Sequence, residues 1–571
     1  MSQFEDSARS WIQGDPDPEM ASRLRSIVES GDQTTLEELM GGQLEFGTAG
    51  IRGEVGPGPN RMNRAVVMRT TAGVARYLVE REGGVPSGPV VIGFDARPTS
   101  PGFAEDTAGV LLAAGFEVRY FEQFAPTPLV AFAAKHLDAV AAIVITASHN
   151  PPADNGYKVY DSNAAQIIPP TDAGIARAIE GIGPANEIPR LESPFDGGHE
   201  RASAVGREVL EAYWDEVDQS RPHKPSRTVR IVYTPLHGVG GETLLDIFGR
   251  TIHQDLIPVP EQEHPDGTFP TVRFPNPEEQ GALDLALDLA EEVEADLVIG
   301  NDPDADRLAG ALPRGDGWRL LTGNELGVLL GSYLLENWTA EETPITANSI
   351  VSSPMLAKIA DTYGALHLVT LTGFKWIANA ALAVEEQGRG RFLFGYEEAL
   401  GYTVGRTVRD KDGISASLLL ADLAAIEAER GRTLLDRLAD LWSQHGIWVS
   451  SQRSIVRPGE SGQAEIVDAV ARLAESAPEE VDGIEVTRLT DYREGADERP
   501  PWLGAQDLIE LELGEKGRML VRPSGTEPKL KIYVDLRGTI SQHAHEDRDR
   551  LIERAGDLAA SMSESIETAM G

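Results

Sequence analysis

The stretch Ala141-Ala142-Ile143-Val144-Ile145-Thr146-Ala147-Ser148-His149-Asn150-Pro151 decides the fold. Its first five residues are apolar and end in three β-branched side chains, the composition of a strand covered on both faces, as in a parallel sheet. The polar run that follows places a hydroxyl, Ser148, at the strand's C-terminal end, where open α/β sheets put their chemistry. On their own, Ser148, His149 and Asn150 read better as turn and cap residues. The case for a nucleophile therefore rests on the rest of the chain.

Outward from this strand, apolar β-like runs alternate with helical patterns: Val90 to Phe94, a helix over Phe103 to Ala114, Val118 to Phe121, then Ala141 to Ile145. That alternation predicts parallel α/β layers. The Gly/Pro/acid-rich stretch Gly181 to Glu200 and the break Arg221 to Ser226 (RPHKPS) are expected to bound a first unit. A second opens at the strand Val229 to Tyr233 and runs through Asp296 to Ile299. A third begins with the helix after Thr322-Gly323-Asn324-Glu325 and contains the strand Arg391 to Phe394. The last starts near Trp448 to Val456 and closes with an amphipathic helix around Arg548 to Ala560. The segments are 1–220, 221–322, 323–447 and 448–571, within the roughly three to five domains that a 571-residue chain suggests.

Composition narrows the chemistry. The chain has no cysteine, which excludes disulfides, thiolate metal sites and thiol nucleophiles and leaves oxygen and imidazole chemistry, with hard cations such as Mg²⁺ as the expected metals. Lys+Arg 51 against Asp+Glu 91 gives a formal charge of −40, which repels nucleic acid and anionic membranes. No apolar run approaches a membrane span and the N-terminus is not a secretory leader, so a soluble cytoplasmic protein is expected. Oligomeric state is not readable, and an anionic substrate would need a locally basic site.

Several further loops carry that chemistry. In Gly300 to Arg307 (GNDPDADR), Asp302, Asp304 and Asp306 alternate after a strand, so three carboxylates can converge on one hard cation. A calcium EF-hand is excluded, because its sixth and twelfth positions are Arg307 and Pro313. Arg522 to Tyr533 (RPSGTEPKLKIY) has the ingredients of a phosphate cradle: Gly525 for close backbone approach, Ser524 and Thr526 as donors, and Arg522, Lys529 and Lys531 for charge. Phe394 to Arg406 puts Glu397 and Glu398 on a glycine-flanked loop suited to sugar hydroxyls, or equally to a helix N-terminus. Lys411 in VRDKDG is a candidate proton donor or acceptor, with a salt-bridged lysine as the commoner case, and Lys375 in TGFKWI follows a probable strand. The glycines between Gly47 and Gly56, around Arg52, form a backbone able to close on a phosphate or a flexible loop. The run His237 to Thr243 (HGVGGET) is discounted as a dinucleotide fingerprint, because Thr243 stands where the last glycine is needed. His136 and His253 form no metal-ligand spacing.

A strand-end serine, a tri-aspartate loop, a carboxylate loop and a phosphate cradle, in this order from FGTAGIRG at Phe46 to RPSGTEPK at Lys529, resemble the α-D-phosphohexomutase family, in its longer phosphoglucomutase/phosphopentomutase branch. The resemblance implies an α/β chain of four domains around a central cleft, three related α/β sandwich domains and a smaller α+β C-terminal domain. It implies that Ser148 is the phosphoserine, completing a Mg²⁺ site with Asp302, Asp304 and Asp306, with Arg307 neutralising charge and Arg52 and Lys158 beside the phosphate. His149 and Lys411 become candidate proton carriers. Glu397, with Glu398 and Lys375, would bind sugar, and Arg522, Ser524, Gly525, Thr526 and Lys531 would hold the phosphate that is not reacting. The expected reaction interconverts glucose 1-phosphate and glucose 6-phosphate through glucose 1,6-bisphosphate. Phosphopentomutase, phosphomannomutase and glucose 1,6-bisphosphate synthase are the alternatives, and the complete Ser148 and aspartate set argues against a non-catalytic sugar-phosphate sensor. One departure bears on sugar choice: Ala399 stands where many relatives carry a serine in this loop.

Overall fold

The computed structural model describes residues 3–48, 50–457, 460–524 and 529–570. They fall into two compact units, 1–321 with 401–425, and 322–400 with 426–571. No helix among the described residues is long and apolar enough to cross a membrane.

The first unit holds two sheets. In the first, the strands run in the spatial order Ile51–Glu54, Asp154–Tyr160, Ala141–Ile145, Pro89–Phe94, Glu117–Tyr120 and Ala202–Ala204. The last four are parallel, while Asp154–Tyr160 runs antiparallel to both its neighbours. Every residue of Ala141–Ile145 is buried, as its composition predicts, each large aliphatic side chain contributing about 1.5–3 kcal/mol. Helix Thr127–His136 packs so closely on Pro89–Phe94 that a Cβ on Gly93 would lie 2.3 Å from Val130 Cγ2, which explains a glycine inside a buried strand.

The second sheet has the order Gly317–Leu320, Ala309–Arg314, Leu297–Gly300, Ile231–Thr234 and Ile257–Pro258. Ile231–Thr234 and Leu297–Gly300 are parallel, so the aspartate loop leaves the C-terminal end of a buried parallel strand.

The stretch Gly181 to Glu200 is tied to the first sheet: Leu191 N donates to Gly109 O at 3.0 Å, the Phe195 ring stacks on Tyr120 with centroids 4.1 Å apart, and the chain then adds Ala202–Ala204 to that sheet. Its glycines and prolines bend a segment that aromatic packing ties down.

The second unit contains Pro344–Ser349, flanked in parallel by Leu366–Thr370 and Arg391–Glu397. Helix Gly323–Glu336 starts at a capping box, in which Thr322 Oγ1 accepts from Glu325 N and Glu325 returns a carboxylate to Thr322 N. An antiparallel sheet follows, in the order Ile447–Val456, Lys529–Gly538, Gly517–Pro523, Ile509–Glu512, Arg488–Asp491. Ile350, Val351, Tyr492, Leu508, Leu520 and Tyr533 form a core shared by the two halves of this unit. The final helix, Ala544–Met570, outruns the expected Arg548 to Ala560 at both ends, because buried positions continue at helical spacing through Leu558, Met562 and Ile566.

Candidate active site

Ser148 takes a left-handed φ of 51°, a strained conformation for a non-glycine residue that its surroundings over-determine. Its N–H donates to Thr146 Oγ1 at 2.8 Å. Its carbonyl accepts from Arg97, a fully buried guanidinium that also donates to the carbonyls of Asn150 (2.6 Å), Pro151 (2.6 Å) and Asp154 (2.8 Å) and pairs with Asp95 at 3.2 Å. One side chain thus ties down the turn from Ser148 to Asp154. Arg97 was not singled out in the sequence; its signal was FDARPTS, a polar run leaving the C-terminal end of the strand Pro89–Phe94.

The hydroxyl points to the aspartates. Ser148 Oγ donates to Asp302 Oδ2 at 2.9 Å, and its remaining contact, His149 Nδ1 at 3.1 Å, is then a donor to it. That assigns the imidazole proton to Nδ1 and leaves Nε2 facing Arg307 Nη2 at 3.4 Å. Burial and the guanidinium groups of Arg307 and Arg52 hold His149 well below the usual histidine range, so it is neutral here.

Asp302, Asp304 and Asp306 are completely buried, with one ligand atom from each within 4.8 Å of the others. Their outer oxygens are spoken for. Lys158 Nζ donates to Asp304 Oδ2 at 2.7 Å and Asp306 Oδ2 at 3.0 Å, Thr127 Oγ1 donates to Asp304 Oδ2 at 2.6 Å, and Lys411 Nζ sits 3.2 Å from Asp306 Oδ2. Asp304 Oδ1 and Asp306 Oδ1 are buried with no hydrogen-bond partner. Orphaned carboxylate oxygens cost free energy unless a ligand takes them up, and an all-oxygen set of this kind fits a hard divalent cation. Burial and two neighbouring carboxylates push Asp302 well above the usual range; on Asp306, Lys158, Lys411 and Arg307 outweigh burial and push it down. Burial alone would discharge Lys158, yet Asp304, Asp306 and Asp410 reverse that and keep it charged.

The loop Gly300 to Arg307 is shaped by segments that pack on it. A Cβ on Gly238 would lie 2.5 Å from Pro303 Cα, one on Gly240 2.4 Å from Ala305 Cβ, and one on Gly413 2.2 Å from Arg307 O. Val239 N donates to Pro303 O at 2.7 Å. Gly238 and Gly240 of HGVGGET, rejected as a dinucleotide motif, serve close packing on the aspartate loop. Arg307 N donates to Asp302 Oδ1 at 3.0 Å while its side chain meets Glu278 at 3.1 Å. Arg52 Nη1 donates to Asn150 Oδ1 at 2.9 Å, which brings it onto the serine turn.

The remaining expected residues belong to the second unit. Glu397 Oε1 accepts from Gly373 N at 2.7 Å, two residues before Lys375 in the first turn of helix Phe374–Glu386. Glu398 Oε2 accepts from Ser349 (3.1 Å) and Ser352 (3.0 Å), hydroxyls that come from elsewhere in the chain beside Ala399. Arg522 pairs with Lys531 across two antiparallel strands, and Ser524 N donates to Lys529 O at 2.7 Å, closing the hairpin. Arg522 Nε and Nη1 are buried without a hydrogen-bond partner, as an anion site requires. Gly525 and Thr526 lie outside the described residues.

Comparison with known proteins agrees with this geometry. Models of phosphoglucomutase/phosphomannomutase α/β/α domains I, II and III match residues 43–185, 211–315 and 322–445, and the C-terminal domain model matches 469–545. The chain belongs to the phosphoglucomutase/phosphomannomutase family, the α-D-phosphohexomutases. Family members are enzymes of the isomerase class that transfer a phosphoryl group within sugar phosphates. Among relatives, this phosphohexomutase is 40% identical over 490 residues to a probable phosphomannomutase of Haemophilus influenzae, covering 84% of this chain and 93% of that one. It is 36% identical to a probable phosphoribomutase of Schizosaccharomyces pombe, over 94% of each chain. Against a phosphopentomutase of Mus musculus the identity is 35%, over 97% of this chain and 94% of the other. In fold it is similar to the crystal structure of a putative phosphomannomutase from Thermus thermophilus, with a TM-score of 0.67, 20% identity, and coverage of 92% of this chain and 99% of that one.

Proposed function

We propose that this phosphohexomutase interconverts glucose 1-phosphate and glucose 6-phosphate, with Mg²⁺, through a phosphoserine at Ser148 and a glucose 1,6-bisphosphate intermediate. The observation that carries the reading is the 2.9 Å bond from Ser148 Oγ to Asp302, inside a buried tri-aspartate cluster with two orphaned oxygens. Asp302, Asp304 and Asp306 would hold the metal together with the serine phosphate, and the ion would supply charge neutralisation at the transferring group.

The residues divide the work. Arg97 holds the Ser148 turn in its strained form, so no reorganisation is needed at transfer. Lys158, Arg307 and Arg52 supply positive charge around the phosphoryl group. The group passes from Ser148 Oγ to a sugar hydroxyl, whose proton leaves to a base. Lys411 and His149 are the candidates for that proton: His149 is neutral with Nε2 unprotonated, whereas Lys411 would first have to give up the proton it holds beside Asp306. The bisphosphate then turns over and returns its other phosphoryl group to Ser148. Glu397 with Lys375 would bind the sugar, Glu398 would brace that loop, and Arg522, Ser524, Gly525, Thr526 and Lys531 would hold the idle phosphate. The four segments 1–220, 221–322, 323–447 and 448–571 are our domain assignment, and the cytoplasm our expected setting.

A pentose phosphate is the second reading, favoured by the phosphoribomutase and phosphopentomutase among the relatives. A coupled assay comparing kcat/KM for glucose, ribose and mannose 1-phosphates decides between them: glucose specificity requires the highest value for glucose 1-phosphate, and a higher value for ribose replaces it. The carrier role has its own test. After incubation with glucose 1,6-bisphosphate, intact mass should rise by one phosphate in the wild type and not in Ser148→Ala; an equal rise in both ends the phosphoserine scheme.

A further inference from the structure

We infer that Arg518 is a positioning residue that sets the phosphate-gripping hairpin against the sugar-hydroxyl loop, an inference that rests on the function proposed above. Arg518 stands on the strand Gly517–Pro523, which ends in Arg522 and leads to Ser524. Four residues apart on one strand, Arg518 and Arg522 share a face. Gly517, at φ 144°, lets this strand approach its neighbour so closely that a Cβ would lie 1.9 Å from Asp535 O.

Arg518 reaches from this strand to the turn Ile350–Ser353. Its Nη2 donates to the carbonyls of Ile350 and Ser352, each at 2.8 Å, and its Nε donates to Asp535 Oδ2 at 2.8 Å. Glu510, which also accepts from Tyr492, meets Nη1 at 3.3 Å. The other oxygen of Asp535 accepts from Ser450 Oγ at 2.6 Å, and Ser450 accepts from Asn324 Nδ2 at 2.9 Å. Asn324 Oδ1 closes the circuit by accepting from Ser353 N at 2.8 Å and Tyr396 OH at 3.1 Å. The turn is thus gripped from two sides by one polar network. Ser352 in this turn and Ser349 just before it hold Glu398. A continuous path of short hydrogen bonds therefore runs from the strand of Arg522 to the carboxylate loop.

Such a path has a use in a mutase. The substrate must be held by its idle phosphate and its hydroxyls at once, in two poses, so the spacing between the two grips enters the binding of both sugar phosphates; a misplacement of about 1 Å can cost about 100-fold. The hydrogen bonds of the Arg518 side chain go to Ile350, Ser352, Asp535 and Glu510, so it acts through them. Lysine keeps its charge but loses the planar fork that spans two carbonyls and a carboxylate.

The test compares Arg518→Lys, Ser352→Ala and the double variant with the wild type, on glucose 1-phosphate and ribose 1-phosphate. Each single variant should raise KM about tenfold for the sugar that the wild type uses, with kcat within about threefold, since binding is lost equally in ground and transition states. Because both cut one path, the double variant should be no worse than the poorer single variant. An unchanged KM in Arg518→Lys, or effects that multiply in the double variant, overturns the inference. Should Arg518→Lys fail to fold, Ser450→Ala breaks the same circuit and must show the KM rise; a wild-type KM there also overturns it. A wild-type enzyme inactive on both sugars overturns the functional reading, and this inference with it.

Discussion

The two units solve opposite electrostatic problems. Around Ser148 and the aspartate loop, acids and bases face one another and are buried: Lys158, Lys411 and Arg307 face Asp302, Asp304 and Asp306, and among the described residues of this cluster two carboxylate oxygens and Arg307 Nε are left over. In the second unit the imbalance has the other sign. Arg522 keeps two buried nitrogens without partners, while its neighbour Arg518 is fully engaged. The orphaned groups thus forecast their ligands, a cation with an anion beside it for the first unit and an anion for the second. Chemistry is preorganised where charges are paired, and recognition is left where they are not.

The largest expected effect is at the serine. Ser148→Ala should lower kcat by about 10⁴-fold or more, as loss of a covalent carrier does, measured in a coupled assay. Residual turnover near the wild-type rate would break the comparison at its centre.

Next comes the pairing itself. Asp304→Asn keeps the shape but halves the charge that Lys158 answers and removes an orphaned oxygen. A kcat loss of about 10³-fold is expected, with a native circular dichroism spectrum. Chelation with EDTA should abolish wild-type turnover and added Mg²⁺ restore it; activity that survives chelation means the orphaned oxygens have another partner.

Arg97→Lys sharpens the idea of preorganisation. Lysine cannot bridge four carbonyls, so the turn carrying Ser148 should relax and kcat fall about 100-fold with KM nearly unchanged. Arg522→Gln should do the reverse in the second unit, raising KM for sugar phosphates about 10- to 30-fold by removing charge-assisted bonds to phosphate, with a smaller change in kcat.

The smallest effect is on stability. His367, packed with Nδ1 against Thr346 Oγ1 and with Nε2 unpartnered, is pushed down to about 4 by burial. Between pH 6.5 and 4 the unfolded chain binds a proton there that the folded chain does not, so stability falls as pH falls through this window, by up to about 3 kcal/mol. In urea titrations His367→Asn should show a shallower loss than the wild type from pH 6.5 to 4.5. Equal slopes would mean the imidazole is protonated in the folded protein.

Much of this was legible in advance for local reasons. A β-branched run followed by a polar loop announces a strand end, and three aspartates at alternate positions can converge on one cation, so both loops could be picked out locally, while Ser148 as a nucleophile was legible only with the other loops beside it. Arg97 and Arg518 could not. Each looks like an ordinary arginine near a strand, and its importance lies in which distant carbonyls it meets. Glu397 and Glu398 looked like an equivalent pair, yet Glu398 is bound by Ser349 and Ser352, whose positions in the chain carry no hint of it.

Alone, then, the sequence determined the α/β layers, the order of the functional loops and the oxygen-and-cation chemistry, because periodicity, turn residues and side-chain type act over a few residues. Only the tertiary structure decided which charges meet. Lys158 reaches Asp304 across 146 residues of chain, and Asn324 reaches Ser450 across 126. Such pairs form because packing of sheets and helices brings strand ends together, and the Coulomb and hydrogen-bond energy of a pair depends on that distance and burial and not on separation along the chain.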